Sequence, residues 1–134
     1  MLYLTAEETR AIDEVVARQS RRAKYPISFD KLVERWTRFV AQVEHGYTDS
    51  IYEYTNDLSA RDLIQEVLDH VPEELRGKLL ILVQPSDERF NEATQVIAHP
   101  IAGRKDMNMQ PWWFRIPKRV SGELANDLQA AGLM

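Results

Sequence analysis

The residues of this chain best suited to chemistry are carboxylates, which crowd the middle of the sequence. Residues 47–99 carry eleven carboxylates against four basic side chains, and three tyrosines are interleaved with them. Paired carboxylates serve general acid–base hydrolysis, whereas carboxylates beside aromatic rings suit a surface that meets a basic partner. The same charge argues against a nucleic-acid groove.

The densest part of this acidic region is a candidate partner-binding patch. Its tyrosines offer rigid amphipathic area, and its carboxylates steer a basic partner. The patch comprises Tyr47, Asp49, Tyr52, Glu53, Tyr54 and Asp57. A second set of carboxylates is interpreted as complementing the positive ends of helix macrodipoles, and this set comprises Asp62, Glu73, Glu74, Asp87 and Glu88.

Metal, nucleotide and nucleophile chemistry find little support in the residue pattern. Asp62, Glu66, Asp69 and His70 have helical spacing, but they lack a His-Glu-x-x-His pattern and are interpreted as a solvated helix face. The chain has no cysteine, which removes thiolates, disulfides and cysteine-based zinc sites. The five glycines form no Gly-x-Gly pair. We therefore predict no catalytic residue, no metal and no cofactor.

Two alternatives to a protein-binding module stay open. A small carboxylate-dependent hydrolase would place two or more of a set of acidic and histidine side chains in one deep pocket; this set is Asp49, Glu53, Asp57, Asp62 and His70. A single-strand nucleic-acid-binding regulator would use the C-terminal cations with two tryptophans; these residues are Arg104, Lys105, Arg115, Lys118, Arg119, Trp112 and Trp113. The sequence pI near 5.4 weighs against the regulator.

Apolar residues recurring at three and four positions predict a mostly helical chain. Thr5 and Glu8 form a capping-box pattern for a helix over residues 5–23, and Ser28 begins a second helix that Gly46 ends. Residues 47–57 suit either a short extended piece or a frayed helical turn and are interpreted as helical. Ser59 is predicted to cap a further helix.

Prolines divide the second half of the predicted structure. Pro72 marks a helix start, and the helix that follows is predicted to be the most buried element. Pro85 is predicted to interrupt that helix before a new one extends through Thr94 to Ile97. Residues 99–110 are predicted to form a long exposed loop, and Ser121 is predicted to cap the last helix.

A short aromatic segment precedes this last helix, at residues 112–117. It is predicted to be extended, so that Trp112 and Trp113 point to opposite faces, one packed on the helices and one at the surface. The fold class expected is therefore all-α, with residues 1–134 forming a single compact bundle of five to six helices and one extended segment near Trp112.

Several segments of the middle and C-terminal regions resemble short uncharacterised bacterial proteins of about this length. They are Asn56-Asp57-Leu58-Ser59-Ala60-Arg61-Asp62-Leu63-Ile64, Pro72-Glu73-Glu74-Leu75-Arg76, Asp87-Glu88-Arg89-Phe90 with Ala93-Thr94, and Trp112-Trp113-Phe114-Arg115-Ile116-Pro117. The resemblance implies that residues 47–117 form one unit. It brings no activity, cofactor or catalytic residue.

Composition and length favour a folded, non-membrane protein. The longest apolar run is five residues, far short of the roughly 20 that cross a bilayer, and no export signal is visible. We therefore expect a cytoplasmic, non-catalytic protein-interaction module with a basic protein partner. A toxin-neutralising immunity protein is one concrete form of it, because such proteins are often small, acidic and free of cysteine.

Overall fold

Five helices carry most of residues 3–97 and 111–133, which are the residues that the computed structural model describes. The helices are α1 (Ala6–Ala23), α2 (Phe29–His45), α3 (Ile51–His70), α4 (Glu73–Ala93) and α5 (Gly122–Ala130), and the strands β1 (Thr94–Gln95) and β2 (Ile116–Pro117) form a small sheet. The predicted all-α class is confirmed. None of the described helices is long and apolar enough to cross a membrane.

The first two helices begin where their caps predict. Thr5 Oγ1 accepts a hydrogen bond from the Glu8 amide at 3.1 Å, and Glu8 Oε1 accepts one from the Thr5 amide at 2.9 Å, which completes the capping box. Ser28 Oγ accepts a hydrogen bond from the Lys31 amide at 3.3 Å and so caps α2. The helix ends at His45, and Gly46 follows with a φ of +110°.

Helix α3 is one element where the sequence predicted a break. Its N-cap is Ser50, whose Oγ accepts a hydrogen bond from the Glu53 amide at 3.2 Å. The prediction that Ser59 begins a new helix is wrong, because Ser59 Oγ donates back to the Asn56 carbonyl oxygen within a continuous helix. Residues 51–57 form the first two turns of α3, as predicted, whereas residues 47–50, also predicted to be helical, precede the helix and are not helical.

Helix α4 also continues through its predicted break, at Pro85. A proline in a helix removes the hydrogen bond to the carbonyl four residues earlier, here that of Ile81. Pro85 and Ile81 both lie on the exposed side of α4, where water can serve that carbonyl. The prediction that this helix is the most buried element is also wrong, since Ile81 and Leu82 are 67% and 39% exposed.

The buried side chains form one contiguous cluster, with α2 packed against α3 and α4. The largest side chains buried almost completely are Trp36, Tyr54, Phe39, Phe90, Leu58, Ile64, Leu68, Leu75, Leu79, Leu124 and Leu128. One continuous core agrees with the expectation of a single domain, which stays a prediction for residues 1–134.

The C-terminal segment returns to the end of α4. Thr94 and Gln95 pair antiparallel with Pro117 and Ile116, so the prediction that a helix extends to Ile97 is wrong. Trp113 is buried and Trp112 is 44% exposed, which confirms that the two rings lie on different sides. The backbone at both residues is a turn and not an extended strand. The loop predicted at residues 99–110 lies outside the described residues.

Candidate functional site

The predicted patch lies where the end of α2, the start of α3 and helix α5 meet. The Glu123 amide donates to the Thr48 carbonyl oxygen at 3.1 Å, and Asp127 Oδ2 accepts a hydrogen bond from the Ile51 amide at 2.9 Å. Gly122 has a φ of +61°, and a Cβ there would lie 2.9 Å from the Thr48 carbonyl oxygen. Glycine is thus required where α5 fixes the turn that carries the patch.

The helical period of α3 and the turn before it divide the six residues of the patch into two groups. Tyr47, Tyr54 and Asp57, which we call the inner trio, point into the protein. Asp49, Tyr52 and Glu53, which we call the outer patch, point to solvent. Tyr47 is 3% exposed and Tyr54 is fully buried, whereas Tyr52 is 74% exposed.

Hydrogen bonds within the fold satisfy the polar groups of the inner trio. The Tyr47 hydroxyl donates to Asp57 Oδ2 at 2.8 Å, and the Tyr54 hydroxyl donates to the Arg115 carbonyl oxygen. The other oxygen of Asp57 lies 3.7 Å from Arg35 Nη2. The trio therefore ties α3 to α2, to the turn before α3 and to the C-terminal segment.

The rings of the two inner tyrosines belong to an aromatic cluster in the core. Phe39 lies 5.6 Å from the Tyr47 ring and 5.4 Å from the Tyr54 ring, and the two tyrosine rings are 5.2 Å apart in an edge-on arrangement. Aromatic pairs at such distances add to the stability that burial alone provides.

The surroundings of the two buried phenols hold them in the protonated form. Burial raises the pKa of Tyr54 and, as the largest cause, that of Tyr47. The hydrogen bond to Asp57 and the negative charges of Asp57, Asp49 and Glu53 raise the pKa of Tyr47 further. Neither phenol can therefore act as a base near neutral pH. The carboxylates of Asp57, Asp49 and Glu53 all lie close enough to the Tyr47 hydroxyl to raise its pKa.

The outer patch keeps its polar groups free. Across residues 3–97 and 111–133, the side chains of Asp49, Tyr52 and Glu53 form no hydrogen bond or ion pair, and the Tyr52 ring contacts no other ring. The Glu53 amide is bound to the Ser50 cap, so the backbone beneath the patch is fixed. An exposed aromatic ring between two unpaired carboxylates is thus presented on a rigid helix start.

Two neighbouring cavities of about 350 Å³ lie beside the patch, and each contains one candidate acid. Asp49 lines the first together with His45, and Asp57 lines the second together with Arg35; Arg38 and Gln42 border both. Neither cavity therefore contains two of the candidate acids. An acid–base hydrolase would need a pair of carboxylates around one substrate position.

Of the other three hydrolase candidates, Glu53 points to solvent in the outer patch and lines neither cavity, and Asp62 and His70 have partners elsewhere. Asp62 Oδ1 accepts a hydrogen bond from the Trp113 indole at 3.0 Å, and His70 Nδ1 lies 2.8 Å from the Glu66 carbonyl oxygen. Neither residue lines the two cavities beside the patch. The five acidic and histidine candidates are therefore dispersed along α3 and the turn before it.

Glu66 belongs to an interhelical ion pair with Arg22, at 2.7 Å between Oε1 and Nη2. This pairing, with a further hydrogen bond from Gln19, lowers the pKa of Glu66 to about 2. In the part of the chain that the structure describes, no three histidine, aspartate or glutamate side chains converge as metal ligands.

The basic-aromatic C-terminal segment is largely engaged in the fold. Arg115 Nε donates to Thr94 Oγ1 at 2.8 Å, and Trp113 is buried. Trp112, Lys118 and Arg119 remain at the surface. Arg104 and Lys105, which the nucleic-acid alternative also uses, lie outside the described residues.

Sequence reasoning missed a buried ion pair between α3 and α4. Arg61, 2% exposed, donates from Nε and Nη2 to both carboxylate oxygens of Asp87 at 2.9 Å, and the Trp36 indole donates to the same carboxylate at 2.9 Å. Asp87 and Glu88 lie well inside α4, and Asp62 lies inside α3, so the prediction that these three carboxylates occupy the first turns of helices is wrong; Glu73 and Glu74 do occupy the first turn of α4. Arg61 lies three positions from both Leu58 and Ile64, and this place on an apolar stripe was the available signal.

The Arg61 guanidinium also lies against the two tryptophans of the C-terminal segment. Its central carbon is 4.7 Å from the centre of the Trp113 ring and 5.9 Å from that of Trp112. A buried arginine with a bidentate carboxylate and ring contacts fixes the packing of three segments. We interpret this cluster as structural.

Comparisons with protein-family models, with curated proteins and with solved structures give no match to this chain.

Proposed function

We propose that the protein is a non-catalytic interaction module that binds a basic protein partner through the outer patch of Asp49, Tyr52 and Glu53. The observation that carries the proposal is the 74% exposure of Tyr52 between two carboxylates that have no ion-pair partner among the described residues. The burial of Tyr47 and Tyr54 narrows the six-residue patch to these three.

The chemistry of the outer patch suits recognition of cations. Tyrosine is enriched among the residues that dominate binding energies, because its ring gives large contact area with little loss of conformational freedom. Unpaired carboxylates beside it attract lysine and arginine and raise the association rate. The excess of acidic residues between residues 47 and 99 extends this attraction beyond the patch itself.

The test is recovery of a partner from lysate of the source organism, followed by measurement of its affinity for purified variants. We expect Tyr52→Ala and the double variant Asp49→Lys with Glu53→Lys each to weaken the complex by at least about ten-fold, as hot-spot residues do. Affinity should also fall with salt.

A matched control reverses two other exposed carboxylates, Glu73 and Glu74, at the start of α4. This variant changes the net charge by the same amount as the double variant of the outer patch. Equal loss of affinity in both variants would show that the partner responds to the net charge of the protein and not to the outer patch. Equal affinity in the wild type and the outer-patch variants would refute the proposal.

A toxin-neutralising immunity protein in the cytoplasm is the concrete form that we propose for this module. The small size, acidic charge and lack of cysteine support it by analogy of type. A basic toxin encoded beside this gene would favour it. Cells that express this toxin should then grow when the wild-type protein is co-expressed and should not grow when Tyr52→Ala is co-expressed.

A further inference from the structure

A second surface of the protein combines an apolar groove with acidic edges. The groove has a volume of about 460 Å³ and lies between α1, the start of α2 and the middle of α4. Its apolar lining comprises Leu4, Ile12, Val16, Ile27, Phe29, Leu79 and Leu82. Leu82 is 39% exposed at its edge, so part of this apolar surface faces water.

The charged side chains that line the groove are all acidic. Asp13 and Asp30 line it, and no lysine, arginine or histidine does. Both carboxylates are exposed and form no ion pair or hydrogen bond within residues 3–97 and 111–133. Each of the other four cavities described here is lined by at least one arginine.

The walls of the groove are fixed relative to each other. Lys78 Nζ lies 2.8 Å from the Glu8 carboxylate and joins α4 to α1 at one end. Ser28, which also lines the groove, caps α2. Ser20 Oγ accepts a hydrogen bond from the Ile27 amide at 2.9 Å, which holds the loop before α2 to α1. The groove is therefore preformed, which reduces the entropy lost on binding.

We propose that this groove binds an amphipathic helical segment of a partner protein, with apolar side chains in the groove and lysine or arginine side chains beside Asp13 and Asp30. Residues 9 to 16 of α1 extend about 10 Å at 1.5 Å per residue, which matches partner side chains at positions i, i+4 and i+7. The two rim carboxylates select a basic segment over an acidic one.

This groove is distinct from the outer patch. It contains the start of α2, whereas the outer patch lies beyond the end of that helix. The 17 residues of α2 separate the two surfaces by about 25 Å of helix. The inference does not depend on the proposed function, and the two can fail separately.

The test is titration of the full-length protein with a synthetic helical peptide that has leucines at i, i+4 and i+7 and lysines elsewhere, followed by NMR and calorimetry. We expect the NMR chemical shifts of residues that line the groove to change when the peptide binds, and we expect the affinity to fall as salt is added. The same peptide with glutamate in place of lysine should bind at least about ten-fold more weakly.

Adjacent positions of α4 supply a matched pair of variants. Leu82→Glu places a charge at the groove and should weaken peptide binding by at least about ten-fold, the value of one buried leucine. Ile81→Glu changes a neighbouring residue, 67% exposed, that does not line the groove, and should leave binding unchanged. Circular dichroism of both variants reports whether each remains folded.

Removal of the two rim charges provides a test that leaves the apolar surface intact. Asp13→Asn with Asp30→Asn should weaken binding about two- to ten-fold and reduce its salt dependence. Glu73→Gln with Glu74→Gln removes two exposed carboxylates that do not line the groove and should leave binding nearly unchanged. Equal binding by Leu82→Glu and Ile81→Glu would overturn the proposal, as would equal binding of the glutamate peptide. Self-association of the wild type that Leu82→Glu abolishes would also overturn it, because the occupant would then be a second copy.

Discussion

The inner trio and the outer patch contain the same kinds of residue within eleven positions of sequence, yet they have opposite surroundings. Tyr54 is fully buried, and two positions earlier Tyr52 is 74% exposed. Asp57 accepts a hydrogen bond from Tyr47, while Asp49 forms none among the described residues. Their positions relative to the core, and not residue type, decide which residues stabilise the fold and which remain available to a partner.

This division changes what an acidic, tyrosine-rich stretch indicates. Its composition alone assigns six residues to recognition. In the structure, three of them form contacts inside the fold, and only the other three keep free polar groups. A functional surface is therefore smaller than its sequence pattern predicts, since part of the same pattern builds the core beneath it.

The largest difference should appear when each tyrosine of α3 is truncated. Tyr54→Ala removes a fully buried ring and should lower the free energy of unfolding by about 3–5 kcal/mol. Tyr52→Ala, two residues away, should change it by no more than about 0.5 kcal/mol. Urea denaturation followed by circular dichroism measures both. Similar losses of unfolding free energy in the two variants would show that the division into an inner trio and an outer patch is wrong.

Loss of one carboxylate from each group should give a smaller contrast. Asp57→Ala leaves the buried Tyr47 hydroxyl without its acceptor and should cost about 1.5–3 kcal/mol. Asp49→Ala removes an exposed carboxylate and should cost about 0.5 kcal/mol or less. Both variants are measured under the same denaturation conditions. An unchanged free energy of unfolding in Asp57→Ala would show that Asp57 does not stabilise the fold as a member of the inner trio.

Alkaline pH provides a test of the buried phenols. Burial raises the pKa of Tyr47 and Tyr54 above the ordinary value near 10, so the unfolded chain releases these protons first. Their contribution to stability is full below pH 10 and falls as pH rises above it. Tyr47→Phe, at a cost near 1 kcal/mol at neutral pH, should reduce this alkaline decline. An unchanged slope would contradict the burial of its hydroxyl.

Acid pH should give the smallest effect, at a carboxylate that is partly exposed but paired. The ion pair with Arg22 lowers the pKa of Glu66 to about 2 from an ordinary value near 4.5. The resulting stability is present above pH 4.5 and is lost as pH falls toward 2. Glu66→Gln should remove about 1 kcal/mol or less at pH 7 and flatten this acid decline. Equal acid profiles would exclude the pairing.

Local signals predicted the first two helices well, because their start signals lie within a few residues. The Thr5–Glu8 capping box and the Ser28 cap each act over three positions, so no knowledge of the rest of the fold is needed. Trp36 lies on the apolar stripe of α2 and is fully buried, as helical spacing of apolar residues predicts.

The errors arose where tertiary contacts override a local signal. Ser59 and Pro85 both resemble helix boundaries, but packing on either side carries α3 and α4 through them. The Arg61–Asp87 pair joins residues 26 positions apart on different helices. Pairing across such a separation depends on how the helices pack, which one sequence does not show.

The division of the patch was beyond sequence reasoning for a related reason. The sequence allows residues 47–57 to be either extended or helical, and the direction in which each tyrosine points depends on which of the two they adopt. Placing the N-cap at Ser50 sets that direction, since Tyr54, Leu58 and Arg61 then share the buried face.

Site-specific photo-crosslinking in cells of the source organism tests the central claim most directly. Benzoylphenylalanine is introduced in place of Tyr52, and in a control in place of Glu74, which is exposed at the start of α4. We predict that irradiation joins position 52, and not position 74, to a protein with a basic surface. No adduct at position 52, or the same adducts at both positions, would contradict the outer patch as a binding surface.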